Sequence, residues 1–459
     1  MNETTSKNYV LMIATLVSFL TPFMGSSISV ALPSIGRELS MDAVLLTWVS
    51  TAYLIVAAML LVPLGRAADI HGRKKIFTFG LLLYTLASLL CALSPTAFLL
   101  IASRAVQGMG AAMIAGTGIA ILSSVFAEGE RGRVLGINTA AVYLGLSLGP
   151  FVGGLLTEHL GWRSIFAINV PLGLLLLGLV AWKMTGEWAA AKGEKFDLLG
   201  ASIYSIMLVA MMYGISLLPS ISGAWLMLFG GLALLVFIKW EARAPSPVLD
   251  IGLFRNNPVF AFSNLAALIH YSSTFAVAFL LSLYLQYVRG FSPQAAGSVL
   301  VCQPLVQAVF SPLAGRLSDR YEPRFLASSG MAVTVAGLFG FSLLKETTPL
   351  LHIIVGLLVF GLGYAFFSSP NTNAVMGSVS KRSYGVASAT LATMRQTGMT
   401  LSMGVVMFLF ALYIGRAEIT PEQHGLFLES AKVAFIVFGC SCFVGIFASL
   451  ARGDVRRSE

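Results

Sequence analysis

Residues 65–75 read GRAADIHGRKK, and residues 315–319 read GRLSD. Each stretch follows an apolar run of helical length, and the two stretches lie 250 positions apart. Ser40 and Ser292 repeat at nearly the same offset, 252 positions, and each is predicted to cap the helix that follows it. Because these anchors recur at nearly one offset, the sequence predicts two homologous six-helix halves with a substrate site between them.

The composition excludes an ordinary soluble protein. Hydrophobic residues make up 57% of the 459 residues and charged residues only 11%, whereas soluble proteins carry about 25% charged residues. The mean hydropathy is +0.85. Apolar runs of about 20 residues, the length that crosses a bilayer, recur along the chain. Backbone groups in lipid must be bonded internally, so we expect an all-α polytopic membrane protein.

Fourteen transmembrane helices are predicted in three parts. Residues 1–183 carry the first six-helix bundle, 184–257 a polar linker and an inserted helix pair, and 258–459 the second six-helix bundle. The first apolar run is longer than a signal-peptide core and is predicted to be retained. The predicted spans are 9–31, 45–65, 76–94, 97–125, 134–156, 164–183, 198–218, 223–241, 258–286, 294–314, 325–344, 349–369, 386–414 and 430–450.

Lysine and arginine residues are distributed unequally between the two sides of these spans. With the N-terminus placed inside, 21 of them lie in cytoplasmic loops and 6 on the opposite side. Cytoplasmic loops of membrane proteins carry the excess of basic residues. The distribution therefore predicts a multi-pass protein of the inner (cytoplasmic) membrane with both termini in the cytoplasm. Topology also accounts for the net charge of +9, and no nucleic-acid partner is predicted.

The loop after span 2 combines a carboxylate, basic residues and glycines. Its glycines allow a tight turn between helices, and its carboxylate can pair with a base or cap a neighbouring helix. The loop is predicted to be a cytoplasmic gate that holds the halves together; the alternative is a basic membrane anchor alone. With its counterpart after span 10, the predicted gate comprises Gly65, Asp69, Gly72, Arg73, Gly315 and Asp319.

Two arginines fall inside predicted spans, where a charge costs about 2.5–3.5 kcal/mol. Arg104 in span 4 has Gln107 one turn later on the same face, and Arg395 in span 13 is followed by Gln396. Each arginine must therefore face a water-filled cavity or a polar partner. Two interpretations of Arg104 remain open: a functional residue of the cavity, or a structural residue bonded to helix carbonyls.

Glycines recur at every fourth position of span 5, at Gly145, Gly149 and Gly153, with Pro150 and Gly154 beside them. Small residues at this spacing form a flat stripe that another helix can approach closely. Proline removes a helix hydrogen bond and allows bending. The stripe is predicted to be a close helix contact, and the bolder interpretation is a pivot along which span 5 slides.

Several other polar residues are candidates for the cavity wall. His270 lies in span 9 near Asn264, and its titration range suits a proton carrier, although a histidine satisfied within the core is the more common case. Pro370 is expected to lie just beyond span 12 and to bend the chain there. Further candidates for the cavity are Tyr53, Tyr143, Tyr284, Tyr364, Gln303 and Gln307.

These motifs resemble those of the major facilitator superfamily. Residues 65–75 are similar to its signature loop, 100–112 (LIASRAVQGMGAA) to its fourth-span motif, and 145–154 (GLSLGPFVGG) to the fifth-span antiporter motif that marks exporters. Residues 162–171 and 196–200 resemble the fourteen-span drug:proton antiporter branch. The resemblance covers essentially the whole chain and implies export by alternating access, driven by protons.

The chain departs from that branch in span 1, where the usual aspartate is replaced by Met24. No Asp or Glu lies in the middle of any predicted span. By resemblance, Arg104 would couple proton movement to the substrate. The proton carrier is then predicted to be His270 or a carboxylate at a span end, Asp42 or Glu158.

The predicted function is efflux of small amphiphilic molecules. Interior arginines without a central carboxylate predict a neutral or anionic substrate rather than a lipophilic dication. The alternative is a facilitator or importer of a small nutrient that is not coupled to protons. A membrane-bound enzyme is not expected, because the sequence offers no paired carboxylates, metal-ligand spacing or nucleophile–base arrangement. The predicted partners are the substrate, protons and the lipid bilayer; no cofactor or metal is expected, and a monomer is favoured.

Overall fold

The computed structural model describes residues 3–453 apart from 127, 190, 219, 245, 246, 250, 380–383 and 416. Within this part of the chain, 14 helices are long and apolar enough to cross a membrane, and no strand occurs. The predicted all-α polytopic fold is therefore confirmed.

The spans are numbered in chain order. Their helices are Glu3–Glu38 (span 1), Ala43–His71 (span 2), Arg73–Ala92 (span 3), Ala97–Val125 (span 4), Glu128–Leu160 (span 5), Arg163–Ala167 with Asn169–Lys183 (span 6), Leu198–Leu217 (span 7), Ile221–Glu241 (span 8), Pro258–Thr274 with Ala276–Leu283 and the π-helical turn Tyr284–Val288 (span 9), Pro293–Leu300 with Cys302–Ser318 (span 10), Pro323–Phe341 (span 11), Leu350–Gly377 (span 12), Tyr384–Tyr413 (span 13) and, after the 3₁₀ turn Pro421–Gln423, His424–Ala451 (span 14). A short helix, Ile251–Asn256, precedes span 9.

Side chains cap the starts of several helices. Ser292 caps span 10, where its Oγ accepts a hydrogen bond from the Ala295 N–H at 3.3 Å. The predicted cap at Ser40 is wrong, because Asp42 caps span 2 and accepts from the Leu45 N–H at 2.6 Å. Ser40 instead lies in the preceding turn with a left-handed φ of 48°. A nearby carboxylate binds the orphan N–H groups at least as well as a hydroxyl does.

One proline explains a break in a helix, and another lies inside a helix that was predicted to end before it. Span 10 is interrupted at Val301, and Pro304 cannot donate to the carbonyl of Leu300, four residues earlier. The expectation that Pro370 lies beyond span 12 is wrong, since the helix continues through it to Gly377. The bend at Pro370 stays a prediction. Within a membrane, a helix that continues past proline keeps most of its remaining backbone groups bonded.

The same neighbour pairs occur in residues 1–183, called the first half here, and in residues 258–459, the second half. In the first half, span 1 packs on span 5, span 2 on span 4, and span 3 on spans 4 and 6. In the second half, span 9 packs on span 13, span 10 on span 12, and span 11 on spans 12 and 14. Adding eight to each span number of the first half gives the second.

The halves meet along a seam in which span 2 packs on span 13, span 5 on span 10, and span 1 on span 9. Two hydrogen bonds mark the end of the seam that carries few basic residues, called the sparse end. Gln286 Nε2 donates to the Val30 carbonyl at 2.8 Å, and the Ala43 N–H donates to the Ala417 carbonyl at 3.0 Å. The opposite end, which carries the loop at 65–75, is called the basic end. The sparse end is closed in this structure.

The inserted spans 7 and 8 lie against one side of this seam. Span 7 contacts both span 2 and span 13. Tyr204 Oη donates to the Ala58 carbonyl at 3.2 Å, and Ser205 Oγ donates to the Met59 carbonyl at 3.1 Å. Span 8 packs on span 7 and leaves most of its own surface to the lipid.

Candidate transport pathway and gates

Arg395, in the middle of span 13, is a cation surrounded by tyrosine side chains. Its side chain is partly exposed, and its guanidinium carbon lies 5.0 Å from the ring centroid of Tyr271. Tyr271, Tyr364 and Tyr143 all lie within electrostatic range of the guanidinium. Its Nε has no hydrogen-bond partner among the described residues, and no carboxylate there forms an ion pair with it. Arg395 therefore presents an uncompensated positive charge between the halves.

His270 lies behind this aromatic group. Its ring stacks on Phe367 with centroids 3.9 Å apart and meets Tyr364 at 5.1 Å and Tyr271 at 5.8 Å, both edge-on. The side chain is fully buried, and within the described part of the chain neither ring nitrogen has a hydrogen-bond partner. An unpartnered buried polar group costs about 1–3 kcal/mol. His270 is thus not satisfied by the core around it in this conformation.

The other predicted cavity residues differ in exposure. Gln303 is partly exposed and donates to Gln307 Oε1 at 3.2 Å. Gln396 is also partly exposed, and its Nε2 reaches the Leu54 carbonyl across the seam at 3.5 Å. Asn264 is buried, and its Nδ2 donates to the Phe260 carbonyl of its own helix at 2.9 Å. The structure therefore brings Gln303 and Gln396, but not Asn264, to partly open positions.

Arg104 is a structural clamp in this conformation, only 1% exposed. Its Nε donates to the Val49 carbonyl at 3.0 Å, and its Nη1 donates to Gln107 Oε1. The guanidinium carbon lies 4.4 Å from the Tyr53 ring centroid. Gln107 Nε2 in turn donates to Ser88 Oγ at 2.8 Å, so the network joins spans 2, 3 and 4. Of the two interpretations of Arg104, this geometry favours the structural one.

The side chains of Asp69 and Arg73 in the predicted gate loop make their contacts within the first half here. Arg73 Nε donates to Asp69 Oδ1 at 2.7 Å, and Arg73 Nη1 donates to the Ala120 carbonyl of span 4 at 3.0 Å. Asp69 therefore orients the arginine that ties spans 2, 3 and 4 together. In the second copy, Asn373 Nδ2 lies 3.4 Å from Asp319 Oδ1, and Gly315 faces Ser369 of span 12. The predicted contact of Asp69 between the halves is not the one formed in this conformation.

A segment of the linker, residues 184–197, lies along this loop, a contact that the sequence did not predict. The Glu187 carboxylate accepts hydrogen bonds from the N–H groups of Lys74 at 2.8 Å and Lys75 at 3.3 Å, at the start of span 3. Gly72 has a φ of 119°, and a Cβ there would lie 2.5 Å from Glu187 Cδ. A carboxylate at a helix N-terminus is favourable. The linker thus holds the gate loop from one side.

We expect Glu187→Gln to loosen this linker while the fold persists. The loss of a charged helix cap costs about 1 kcal/mol, so limited proteolysis within residues 184–197 should accelerate about fivefold, as read by gel analysis of the two fragments. Glu194→Gln is the matched control, because the ion pair of Glu194 with Arg66, at 2.5 Å, is exposed, and such pairs contribute little. Equal acceleration by both variants would contradict the capping role.

The glycines of span 5 serve two contacts. A Cβ on Gly145 would lie 2.6 Å from the Phe19 carbonyl, and one on Gly153 would lie 2.7 Å from Ser27 Cβ, so this face packs on span 1. Gly149 faces span 1 as well, where its carbonyl accepts from Ser27 Oγ at 2.9 Å. Gly154 instead faces the second half, where a Cβ would lie 2.5 Å from the Pro293 carbonyl.

The seam between spans 5 and 10 depends on glycine from both sides. A Cβ on Gly297 of span 10 would overlap the carbonyl oxygen of Pro150 in span 5. Gly154 and Gly297 therefore permit backbone-to-backbone approach near the sparse end. The sliding of span 5 stays a prediction.

Arg452 is a buried residue that the sequence placed with the cytoplasmic loop charges. It is 1% exposed, and its Nη1 donates to Asn371 Oδ1 at 3.0 Å and Ser263 Oγ at 3.3 Å. Burial lowers the pKa of Arg452 to about 10. The contacts join span 14 to spans 9 and 12 at the basic end. No sequence signal separated Arg452 from an ordinary basic residue after a span.

Comparison with known proteins identifies the family. The family model described as Major Facilitator Superfamily matches residues 14–403 and, in an overlapping alignment, residues 264–458. The chain belongs to the major facilitator superfamily. It is accordingly a membrane transporter and not an enzyme. The fold is shared with the crystal structure of a D-xylose–proton symporter, in an alignment that covers 98% of both chains with a TM-score of 0.69 at 13% identity.

Several bacterial members of the family are similar over most of their length. The riboflavin transporter RibZ of Clostridioides difficile (strain 630) is 30% identical over 96% of both chains. The cephamycin export protein CmcT of Amycolatopsis lactamdurans is 35% identical over 88% of this chain and 85% of its own. The multidrug resistance protein Stp of Mycobacterium tuberculosis (strain ATCC 25618 / H37Rv) is 30% identical over 90% and 77%.

Proposed function

We propose that this transporter exports small amphiphilic molecules across the cytoplasmic membrane by alternating access. The names of CmcT and Stp support export of antibiotics and drugs. The excess of basic residues supports a cytoplasmic basic end with both termini inside. On this orientation the structure is closed to the outside, and an exporter has to be closed there while it collects its cargo.

The uncompensated charge of Arg395 carries the proposal for the substrate. A cation without a counter-ion repels a second cation and attracts an anion or a strong hydrogen-bond acceptor. The surrounding rings of Tyr271, Tyr364 and Tyr143 offer flat apolar surface with polar edges. The substrate class is therefore a neutral or anionic amphiphile. Tyr53 and Arg104 belong to the structural clamp and do not contribute to this class.

Proton coupling is part of the same proposal. His270 supports it, because its nitrogens are unpartnered and its ring contacts Tyr271 and Tyr364, which both neighbour Arg395. A substrate bound beside Arg395 would change the environment of His270. A proton on His270 would in turn change the environment of that substrate. Proteoliposomes with an imposed pH gradient test this: substrate flux should respond to the gradient, and flux that ignores it would exclude coupling.

A second candidate is transport of a nutrient without proton coupling, in the manner of a facilitator or importer. The observation that favours it is RibZ, which is named a riboflavin transporter and aligns over 96% of both chains. Direction separates the two candidates. Cells that express an exporter accumulate less of the compound than control cells, whereas cells that express an importer accumulate more.

Paired cationic and anionic compounds of similar size test the substrate class. We expect export of the anionic and neutral members, and Arg395→Gln should reduce export of the anion by about tenfold or more, the value of a charged hydrogen bond. Arg395→Lys keeps the charge and should retain part of the activity. Asn264→Ala is the matched control, since Asn264 is buried and bonded to its own helix. Preferential export of quaternary ammonium dyes by the unmodified protein would reject the proposal.

A further inference from the structure

The end of span 5 holds the start of span 10 through a carboxylate. Glu158 Oε2 accepts a hydrogen bond from the Gln294 N–H at 3.0 Å, and the side chain of Ser292, the cap of span 10, lies beside the carboxylate. Span 10 begins at Pro293, so Glu158 lies at the positive end of that helix dipole. Beside it, His159 Nε2 lies 3.2 Å from Gln294 Oε1. These bonds join the two halves at the sparse end.

The bonds lie at the edge of a tightly packed contact. One helical turn before Glu158, Gly154 packs on the Pro293 carbonyl, and Gly297 packs on Pro150. The glycine contact requires the two helices to approach closely, and that approach brings the Glu158 carboxylate within bonding distance of Gln294. Separation of spans 5 and 10 must therefore break the glycine contact and the hydrogen bond between Glu158 and Gln294 at the same time.

Glu158 is open to solvent on the far side from these bonds. Its side chain is exposed and lines a shallow recess at the sparse end with Ser34, Arg37, Glu38, Thr157 and Pro293. The charged or titratable groups that face it are Arg37 and Glu38 of span 1 and His159 of span 5. Glu38 already pairs with Arg163 and accepts from Trp162 Nε1 at 2.7 Å. Within the described part of the chain, no basic side chain forms an ion pair with Glu158.

We propose that Glu158 is a proton-responsive latch that keeps the sparse end closed while it is ionised. Ionised, the carboxylate is attracted to the helix dipole and accepts charge-assisted hydrogen bonds from span 10. Protonation removes the charge and weakens both interactions. Acid on that side of the membrane therefore shifts the protein toward the conformation that is open at the sparse end. On the orientation of the proposed function, external protons then promote release of the cargo to the outside.

Spin labels at Leu160 and Glu346, exposed positions on opposite halves at the sparse end, report this conformation in nanodiscs. The contacts of the Glu158 carboxyl with Ser292 and Gln294 hold its pKa below the usual range of glutamate. Acidification from about pH 7 to about pH 3 therefore spans its titration. We expect the population with long label distances to rise about two- to fivefold relative to the closed one, the range for a charge at an exposed helix N-terminus. Glu158→Gln should show that higher population at every pH.

His159→Gln and Glu38→Gln are the matched controls, and both should keep the response to pH. An unchanged pH response in Glu158→Gln, or its loss in His159→Gln, would overturn the latch. Should Glu158→Gln fail to fold, Gln294→Pro removes the donor N–H in a first helical turn, where proline is tolerated, and must reproduce the effect. The measurement needs no substrate, so a pH response that depends on Glu158 in a protein without export activity refutes the proposed function and leaves the latch standing.

Discussion

Gly297→Ala is expected to abolish most transport while the protein still folds. The added methyl group would overlap the Pro150 carbonyl oxygen, a backbone atom that cannot move aside without shifting span 5. Overpacking costs about 1–3 kcal/mol, which corresponds to a shift of about 5- to 150-fold in a two-state equilibrium. The closed sparse end would be destabilised by this amount, so the transporter would spend little time in the state that collects cargo.

Distances between spin labels at Leu160 and Glu346 measure that shift, and export by intact cells measures its consequence. Gly178→Ala is the matched control, since a Cβ at Gly178, in span 6, meets nothing within 4 Å and alanine favours a helix by about 1 kcal/mol. A Gly297→Ala protein with wild-type distances and export would show that the seam between spans 5 and 10 tolerates a wider separation than the structure has.

Arg104→Leu is expected to lower the stability of the folded transporter rather than its selectivity. The change removes a second donor from the Val49 carbonyl and leaves Gln107 Oε1 without its donor, and a buried orphan costs about 1–3 kcal/mol. Arg104→Lys keeps the charge but cannot donate to both acceptors with the same geometry. Its stability should therefore lie between that of the parent protein and that of Arg104→Leu. The melting temperature in detergent and the folded yield measure this effect.

Arg66→Leu provides the comparison, because Arg66 makes an exposed ion pair with Glu194 and its loss should change stability little. The outcome decides between the interpretations that the sequence left open. If Arg104→Leu melted like the parent protein yet lost its response to a pH gradient, Arg104 would be a coupling residue and the structural interpretation would be wrong.

The spans were predictable because the bilayer leaves the backbone few choices. An apolar run of sufficient length must be helical, so 14 spans followed from composition and length. Helix ends and breaks were less predictable. Ser40 and Asp42 are both acceptable caps, and the choice between them depends on a turn that tertiary packing sets. Pro370 lies within a helix whose neighbours support it, which a proline rule applied to sequence alone does not detect.

The candidate site was predictable in its residue types and not in their roles. Arg104 and Arg395 look alike in sequence, each followed by a glutamine on or near the same face. Only the fold shows that Arg104 reaches the Val49 carbonyl and the Tyr53 ring, whereas Arg395 has aromatic neighbours and its Nε finds no acceptor among the described residues. Glu187 looks like an ordinary linker charge until the fold places it at the start of span 3.

The position of spans 7 and 8 makes the molecule unequal on its two flanks. The two halves meet on two flanks, where span 2 packs on span 13 and where span 5 packs on span 10. Span 7 is bonded to span 2 and packs on span 13, so it covers the flank formed by spans 2 and 13. On the proposed orientation, an amphiphile in the inner leaflet would enter on the flank formed by spans 5 and 10, at the opposite end of these helices from the Gly154 and Gly297 contact.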